Sequence, residues 1–293
     1  MNENSSNKIT LEALPEDYAF NLSDFALFLS VMKNKTAYEN TLSIIFDEPD
    51  LRLKEVKVEQ VVLNKSGKRA IRLDAWARDE QNRHINTEMQ NDAKKDNLRK
   101  RSRFYQGLLD TPVLKSGKKT KYKHLPSTTI IFITRDDIFR CDSAMYTFTE
   151  QCEEVPGLHL DDGTKKIFLN MTSRNGRPEL ISLLQYMKNT TMDNPEIIVN
   201  DKRIQSLDRI VNEVKQSEEW EAVKMNILEI GIEKGKAASI LELLEETGKV
   251  SEQLRQKILA QHDSETLSKW LKLAAKAESI EEFERRIAPD KAT

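Results

Sequence analysis

Residues 68–90 contain the feature that most constrains the fold of this chain, because two short stretches of alternating apolar side chains flank a polar turn. The first stretch is KRAIRLDAWA (68–77) and the second is HINTEMQ (84–90). Alternation of this kind is typical of β-strands, in which successive side chains point to opposite faces. We therefore predict an antiparallel hairpin whose turn is centred on Gln81.

Each predicted strand contributes one acidic side chain to the same face of the hairpin. With the turn centred on Gln81, Ala75 lies opposite Thr87 and Asp74 lies opposite Glu88. Like charges opposite each other destabilise a sheet by up to about 1 kcal/mol, so this pair needs compensation. A divalent cation between the carboxylates would supply it, because Mg²⁺ is commonly held by one or two carboxylates plus waters and substrate phosphates. Asp74 and Glu88 are therefore candidate catalytic and metal-binding residues.

The same pattern has a plainer explanation. Both acids would then lie on a solvated sheet face with Arg72 or Lys94 as partners, and a register slip of one residue would separate them. Trp76 next to Asp74 is bulky for a solvent-exposed position, which favours a face that is partly covered. The sequence alone leaves these alternatives open.

A basic segment follows the hairpin directly. From Asp92 to His124 the chain has eleven Lys or Arg residues against three Asp residues, although its formal net charge is -2. We predict a helix over 93–109, with an apolar stripe on one side and basic side chains mainly on the other. A solvated helix face would explain such a run, and binding of DNA phosphates is the functional alternative. The basic residues concerned are Lys94, Lys95, Arg99, Lys100 and Arg103.

Arg101 differs from these neighbours because it lies on the apolar stripe that should face the sheet. A guanidinium in such a position requires a partner that can accept several of its hydrogen bonds. Glu88 and a substrate phosphate are the two candidate partners.

Two further signals concern the first helices, which are predicted at 23–32 and 36–46. Ser23 is the expected N-cap of the first helix, and Thr36 with Glu39 has the spacing of a capping box in the second. Glu39 is also a candidate metal ligand that could reach the metal from the helix. The capping box explains its position more simply.

The rest of the chain predicts an α/β fold with an all-helical C-terminal region. The other predicted elements are strands at 51–63, 128–134 and 166–170 and a helix at 178–187. A hairpin followed by a helix and a further strand indicates a mixed sheet flanked by helices. After about residue 200, Glu and Lys dominate and apolar residues recur every three or four positions. We therefore divide the chain into domains at 1–200 and 201–293.

No feature of the sequence indicates a membrane or a secreted protein. No apolar stretch approaches the ~18 residues of a membrane-spanning helix, and the N-terminal segment lacks the apolar run of a signal peptide. The two cysteines, Cys141 and Cys152, have no metal-binding spacing and are expected to be reduced thiols. We therefore expect a cytoplasmic protein with no membrane association.

The chain resembles the PD-(D/E)XK nuclease superfamily in Asp74, in Glu88-x-Gln90 at the end of the next strand, and in the segment RKRSRFYQGLLD (99–110). Within that superfamily it is most similar to the bacterial recombination-promoting nuclease/transposase family. The segments that extend the resemblance over roughly residues 20 to 190 are YKHLPSTTIIFIT (122–134), YTFTEQCEE (146–154), LHLDDGTKKIFLN (158–170) and LLQYM (183–187).

The resemblance implies a restriction-endonuclease-like fold and a divalent-metal-dependent DNA endonuclease, with Mg²⁺ as cofactor and Mn²⁺ as an alternative. Asp74 and Glu88 match the metal ligands of the superfamily. Gln90, a third candidate catalytic residue, stands where the superfamily usually has lysine, as is common in this family. Arg101 and Tyr105 match the R-x-x-x-Y element that follows, and both join the candidate DNA-binding residues. A link to DNA recombination or to mobile-element or phage biology is also implied, although the word transposase in the family name does not imply strand transfer here.

Two other classes of function remain open. The chain could be a DNA-binding protein that kept the fold and lost catalysis, or an interaction protein whose helical C-terminal region is the functional part. The intact set of Asp74, Glu88 and Gln90 favours the enzyme, with DNA as the expected partner. A homo-oligomer formed through the C-terminal helices is a further expectation.

Overall fold

The structure is a computed structural model that describes residues 18–62, 71–92, 96–114 and 121–288. Residues 20–217 form one compact unit, and residues 218–288 belong to a second. The first unit contains all the strands that the structure describes, whereas the second is built from helices.

The first unit is built on a mixed β-sheet. Its strands are β1 (Leu53–Val62), β2 (Ile71–Asp79), β3 (His84–Gln90), β4 (Thr128–Thr134), β5 (Met145–Phe148) and β6 (Thr164–Asn170). They lie side by side in the order β1-β2-β3-β4-β6-β5. β4 runs parallel to β3 and to β6, and the other neighbouring strands are antiparallel. The prediction of a mixed sheet flanked by helices is confirmed.

Helices cover both faces of this sheet. They are α1 (Phe25–Met32), α2 (Lys35–Phe46), α3 (Leu98–Asp110), α4 (Pro178–Lys188) and α5 (Lys202–Lys215), with a single 3-10 turn at Tyr122–His124. Thr87 of β3 contacts Tyr38 of α2, whereas its neighbour Glu88 contacts Arg101 of α3. Because adjacent side chains of a strand point to opposite faces, α2 and α3 lie on opposite sides of the sheet.

The hairpin of β2 and β3 has the predicted register. Ala75 pairs with Thr87, and the pairing continues without a shift toward the turn. Extending the same register by one residue places Asp74 opposite Glu88. Trp76 is only 7% exposed, because it packs in an apolar cluster with residues of α3. The predicted cover over this face of the hairpin is therefore present.

The predicted starts of the first two helices are wrong. α1 is preceded by Asp24 as its N-cap, one residue after the predicted Ser23. α2 is capped by Asn34, whose side chain accepts a hydrogen bond from the backbone N–H of Ala37 at 3.2 Å. Thr36 consequently lies inside the helix and forms no capping box.

Two further elements differ from the sequence prediction. α3 begins at Leu98, later than the predicted residue 93, and the side chain of Asn97 caps it by accepting from the backbone N–H of Lys100 at 3.0 Å. β5 was not predicted. It is a four-residue edge strand with no fully buried side chain, so it lacks the alternation that marks the longer strands.

The first unit extends past the boundary predicted at residue 200. α5 packs on α1 and α2 and buries the apolar side chains Ile204, Leu207, Ile210 and Val211. In α5, as in the later helices, apolar residues recur every three or four positions. The sequence pattern therefore does not show that α5 belongs to the first unit. The division between the two units lies after Ser217.

The second unit is all helical, as predicted for the C-terminal region. Its helices are α6 (Glu218–Thr247), α7 (Glu252–Leu259), α8 (Ser264–Ala274) and α9 (Ile280–Ile287). Ser251, Asp263 and Ser279 start the last three, each accepting a hydrogen bond from the backbone N–H three residues later. α7 and α8 pack on α6 around an apolar core. Over the described ranges, none of the helices has the length and apolar character needed to span a membrane.

Truncation distinguishes the observed boundary from the predicted one. A chain that ends after Ser217 should retain the stability of the first unit in urea denaturation followed by circular dichroism. A chain that ends after Asn200 should lose more than about 4 kcal/mol, because each of the buried side chains of α5 contributes about 1.5–3 kcal/mol. Equal stability of the two truncated chains would show that α5 is not part of the first unit.

Candidate active site

Asp74 and Glu88 lie on neighbouring strands, and each side chain accepts a hydrogen bond from the opposite strand. The backbone N–H of Asp74 donates to Glu88 Oε1 at 3.1 Å, and the backbone N–H of Met89 donates to Asp74 Oδ2 at 3.0 Å. These reciprocal bonds fix one oxygen of each carboxylate within the sheet. Asp74 is 6% exposed and Glu88 is fully buried.

The two oxygens of Glu88 have different partners. Oε1 accepts a second hydrogen bond, from Asn86 Nδ2 at 3.0 Å. Oε2 accepts from Arg101 Nη2 at 2.8 Å. The strands therefore hold Oε1 with neutral donors, whereas Oε2 is held by a guanidinium from α3. The residues that the structure describes place no hydrogen-bond donor on Asp74 Oδ1.

Burial makes the ionised pair unfavourable. Burial, and after it the charge of Glu88, raise the pKa of Asp74 to about 7. Burial also raises the pKa of Glu88 above its usual range, against the opposing hydrogen bond from Asn86 and the charge of Arg101. A pair of carboxylates in this environment binds a proton or a cation more readily than it holds two negative charges.

Arg101 joins α3 to the acid-bearing strand. Its Nη1 donates to Gln90 Oε1 at 3.0 Å, and its Nε and Nη2 donate to the Tyr105 hydroxyl at 2.9 and 2.7 Å. The guanidinium carbon also lies over the ring of Phe132, 5.6 Å from its centroid. Of the two partners predicted for Arg101, the structure contains Glu88. The Arg101 side chain is 21% exposed, so its guanidinium reaches the surface of the site.

Tyr38 supports the hairpin from the opposite face. Its hydroxyl oxygen lies 3.0 Å from the Ala75 carbonyl oxygen and 2.8 Å from Thr87 Oγ1. Ala75 is next to Asp74 in the sequence, and Thr87 is next to Glu88. Burial raises the pKa of Tyr38, so the phenol stays neutral beneath the carboxylates. The sequence analysis missed this residue, because no local pattern links α2 to the hairpin.

Asn86 is a second site residue that the sequence analysis missed. It is fully buried and donates to Glu88 through Nδ2. Within the described chain, its Oδ1 has no hydrogen-bond partner. Asn86 precedes Glu88 by two residues on β3 and so points to the same face. The spacing of two residues between Asn86 and Glu88 is the sequence signal that would have identified Asn86.

The acid pair has the chemistry of a site for a small divalent cation. Asp74 Oδ1 and Glu88 Oε2 are the carboxylate oxygens that the strands leave available, and hard oxygen donors of this kind suit Mg²⁺. No cluster of three or more His, Cys, Asp or Glu suited to a metal occurs in the described part of the chain. Two carboxylate oxygens suit a cation that keeps several waters, as Mg²⁺ does.

Comparison with protein families gives a match over most of the chain. The model for the PD-(D/E)XK nuclease family transposases matches residues 15–227. The chain belongs to this family. The match confirms the resemblance found from the motif residues and extends it from about residue 190 to the start of α6. No curated protein and no solved structure matches the chain.

In this PD-(D/E)XK protein, Glu39 lies away from the acid pair. Its Oε1 accepts a hydrogen bond from the backbone N–H of Leu53 at 2.8 Å. Leu53 pairs with Asp79, which is about 16 Å from Asp74 along an extended strand. The prediction of Glu39 as a metal ligand is therefore wrong. The capping-box explanation is wrong as well, because the carboxylate binds the first N–H of β1 instead.

The basic side of α3 faces solvent in this family member. Arg99, Lys100 and Arg103 are exposed, while the apolar stripe of the helix is buried. The predicted separation of basic and apolar sides is therefore correct for these residues. Lys94 and Lys95, which belong to the same predicted surface, lie outside the described residues.

Removal of the Asp74 charge should change how stability depends on pH. Because the folded-state pKa of Asp74 is raised to about 7, the folded protein holds this proton more tightly than the unfolded chain. The stability of the wild-type protein should therefore fall as the pH rises from about 4 to about 7. Asp74→Asn keeps an oxygen that can accept from Met89 and does not titrate. It should gain stability relative to wild type across this range, by at most about 4 kcal/mol at pH 8.

Thermal unfolding in EDTA between pH 4.5 and pH 8 measures this difference. Asp136→Asn, which neutralises an exposed carboxylate, is the matched control and should change stability little at any pH. If Asp74→Asn is less stable than wild type at pH 8, the burial of two interacting carboxylates is not the cause of the shift.

Proposed function

We propose that the chain is a divalent-metal-dependent DNA endonuclease that hydrolyses phosphodiester bonds with Mg²⁺, or with Mn²⁺ in its place. The observation that carries this proposal is the pair of buried carboxylates, Asp74 and Glu88, each with one oxygen fixed by the opposite strand. Such a pair is unfavourable for stability and is typical of functional sites. Membership of a nuclease family supports the same conclusion.

In the proposed mechanism Asp74 and Glu88 would hold the cation. The chemistry it would supply there is a lowered pKa of a bound water and stabilisation of negative charge on the scissile phosphate. The backbone N–H groups of Asp74 and Met89 keep one oxygen of each carboxylate fixed. The ligands therefore do not need to reorganise during the reaction.

Gln90 is the third proposed catalytic residue. Its Oε1 accepts from Arg101 Nη1 at 3.0 Å, which fixes the orientation of the amide. The amide nitrogen can then donate to the attacking water or to the phosphate. Unlike the lysine that the superfamily usually has at this position, Gln90 supplies no positive charge.

The basic side of α3 is the proposed surface for the phosphates next to the scissile bond. Arg99, Lys100 and Arg103 are exposed there, and each phosphate that they neutralise releases counterions and favours binding. The full set of proposed DNA-binding residues is Lys94, Lys95, Arg99, Lys100, Arg101, Arg103 and Tyr105.

Plasmid nicking tests the proposal. Asp74→Ala and Glu88→Ala should each abolish Mg²⁺-dependent cleavage, because each removes one of the two carboxylates. Glu80→Ala, which removes an exposed carboxylate from the same hairpin, is the matched control and should cut at the wild-type rate. Wild-type cleavage should also stop in EDTA.

The rival functions have their own outcomes in this experiment. A wild-type protein that binds duplex DNA with a steep salt dependence and never cuts is a DNA-binding protein that has lost catalysis. A wild-type protein that binds no DNA at moderate salt is an interaction protein. Full cleavage by purified Asp74→Ala or Glu88→Ala would remove that residue from the site.

We further propose that the chain forms a homo-oligomer through its C-terminal helices. α6 carries apolar side chains that remain exposed, including Met225 at 67% and Ile232 at 46%, and a second copy of the chain would cover them. Light scattering should give an oligomer for the full chain and a monomer for a chain that ends after Ser217. A monomeric full chain at micromolar concentration contradicts this proposal.

A cytoplasmic location and a role in DNA recombination, or in mobile-element or phage biology, complete the proposed function. The free thiols of Cys141 and Cys152 support the first, because secreted proteins commonly pair their cysteines. The description of the family as transposases supports the second. Cell fractionation tests the location, and recombination frequency in cells that carry Asp74→Ala tests the role.

A further inference from the structure

Arg101 is the cationic partner of Glu88. Glu88 Oε1 is held from within the sheet, by the backbone N–H of Asp74 and by Asn86 Nδ2. Glu88 Oε2 is held from α3, by Arg101 Nη2 at 2.8 Å. A divalent cation held by Asp74 Oδ1 and Glu88 Oε2 would therefore compete with this guanidinium for the Glu88 carboxylate.

Arg101 keeps other contacts when the bond to Glu88 is broken. Nη1 donates to Gln90 Oε1 at 3.0 Å, and Nε donates to the Tyr105 hydroxyl at 2.9 Å. Gln90 and Tyr105 are both neutral. Their hydrogen bonds to Arg101 can therefore remain when the guanidinium no longer pairs with Glu88. Because the side chain is 21% exposed, the guanidinium can release Glu88 while its bonds to Gln90 and Tyr105 keep it in the site.

The charges of the site favour this exchange. Asp74, Glu88 and Arg101 together carry one negative charge when both acids are ionised, and a divalent cation changes that to one positive charge. A phosphodiester then neutralises the site. Because uncompensated charge is costly where water is excluded, the metal-loaded site should attract a phosphate more strongly than the metal-free site.

We propose that Arg101 couples metal binding to phosphate binding. Its guanidinium stays bonded to Glu88 until a divalent cation binds there, and it then donates the released N–H to the scissile phosphate. The inference rests on the proposed nuclease function and adds an order of binding to it. It also explains how the site works with Gln90 in place of lysine, since Arg101, bonded to Gln90, supplies the positive charge.

Arg101→Ala tests the exchange through two effects of opposite sign. The affinity for Mn²⁺, measured by calorimetry without DNA, should rise at least about threefold, because Glu88 loses a competing cation. Single-turnover cleavage at saturating Mn²⁺ should fall about 100-fold, the usual size of effect when one donor to a developing negative charge is lost. A residue with only a structural role would lower both quantities.

Three comparisons isolate the guanidinium. Arg103→Ala removes the same charge from the exposed side of α3 and should leave the Mn²⁺ affinity unchanged. Guanidinium ion, added below denaturing concentrations, should restore part of the cleavage by Arg101→Ala and lower its Mn²⁺ affinity toward the wild-type value.

Arg101→Lys keeps a positive charge but not the planar set of donors. It should cut more slowly than wild type without weaker Mn²⁺ binding, and it replaces Arg101→Ala if that variant does not fold.

Weaker Mn²⁺ binding in either folded Arg101 variant overturns the proposal, and so does an unchanged affinity in folded Arg101→Ala. Calorimetry on the wild-type protein separates these results from a failure of the nuclease function. If wild type binds Mn²⁺ in an Asp74-dependent way and cuts DNA, only the role of Arg101 is overturned. If wild type neither binds Mn²⁺ nor cuts, both proposals are overturned.

Discussion

The candidate site depends on two buried carboxylates that each accept a backbone N–H from the opposite strand. The bonds from Asp74 N–H to Glu88 and from Met89 N–H to Asp74, at 3.1 and 3.0 Å, hold the acids inside the sheet. They also leave Asp74 Oδ1 and Glu88 Oε2 available to other partners. Tyr38 fixes the register from below by contacting the two residues beside the acids. A slip of one residue would move the acids to that opposite face.

The same arrangement costs stability and creates the capacity to bind a cation. Two carboxylates removed from water repel each other, and this raises the pKa of Asp74 to about 7. One guanidinium, that of Arg101, offsets part of the negative charge. A divalent cation and a phosphate would together complete the neutralisation, so the site has a charge imbalance that its proposed cofactor and substrate correct. Natural proteins commonly keep such unfavourable groups where function requires them.

The sequence predicted the parts of the site that strand periodicity determines. Because side chains alternate along a strand, centring the turn on Gln81 was enough to place Asp74, Glu88 and Gln90 on one face. Helical spacing likewise placed Arg101 toward the sheet. Glu39 was misplaced, since its contact with the first residue of β1 joins two elements that no local pattern connects. The role of α5 in the first unit was missed for the same reason. α5 packs on α1 and α2, which lie far from it in the sequence.

We propose Asp74 and Glu88 as the ligands of a divalent cation that displaces Arg101. A crystal structure with Mn²⁺, with the metal located by its anomalous scattering, tests this most directly. We expect one peak within coordination distance of Asp74 Oδ1 and Glu88 Oε2, at about 2.0–2.2 Å for an oxygen ligand, with the Arg101 guanidinium no longer bonded to Glu88. A Mn²⁺ ion bound elsewhere, with the bond between Arg101 and Glu88 intact, would contradict the claim.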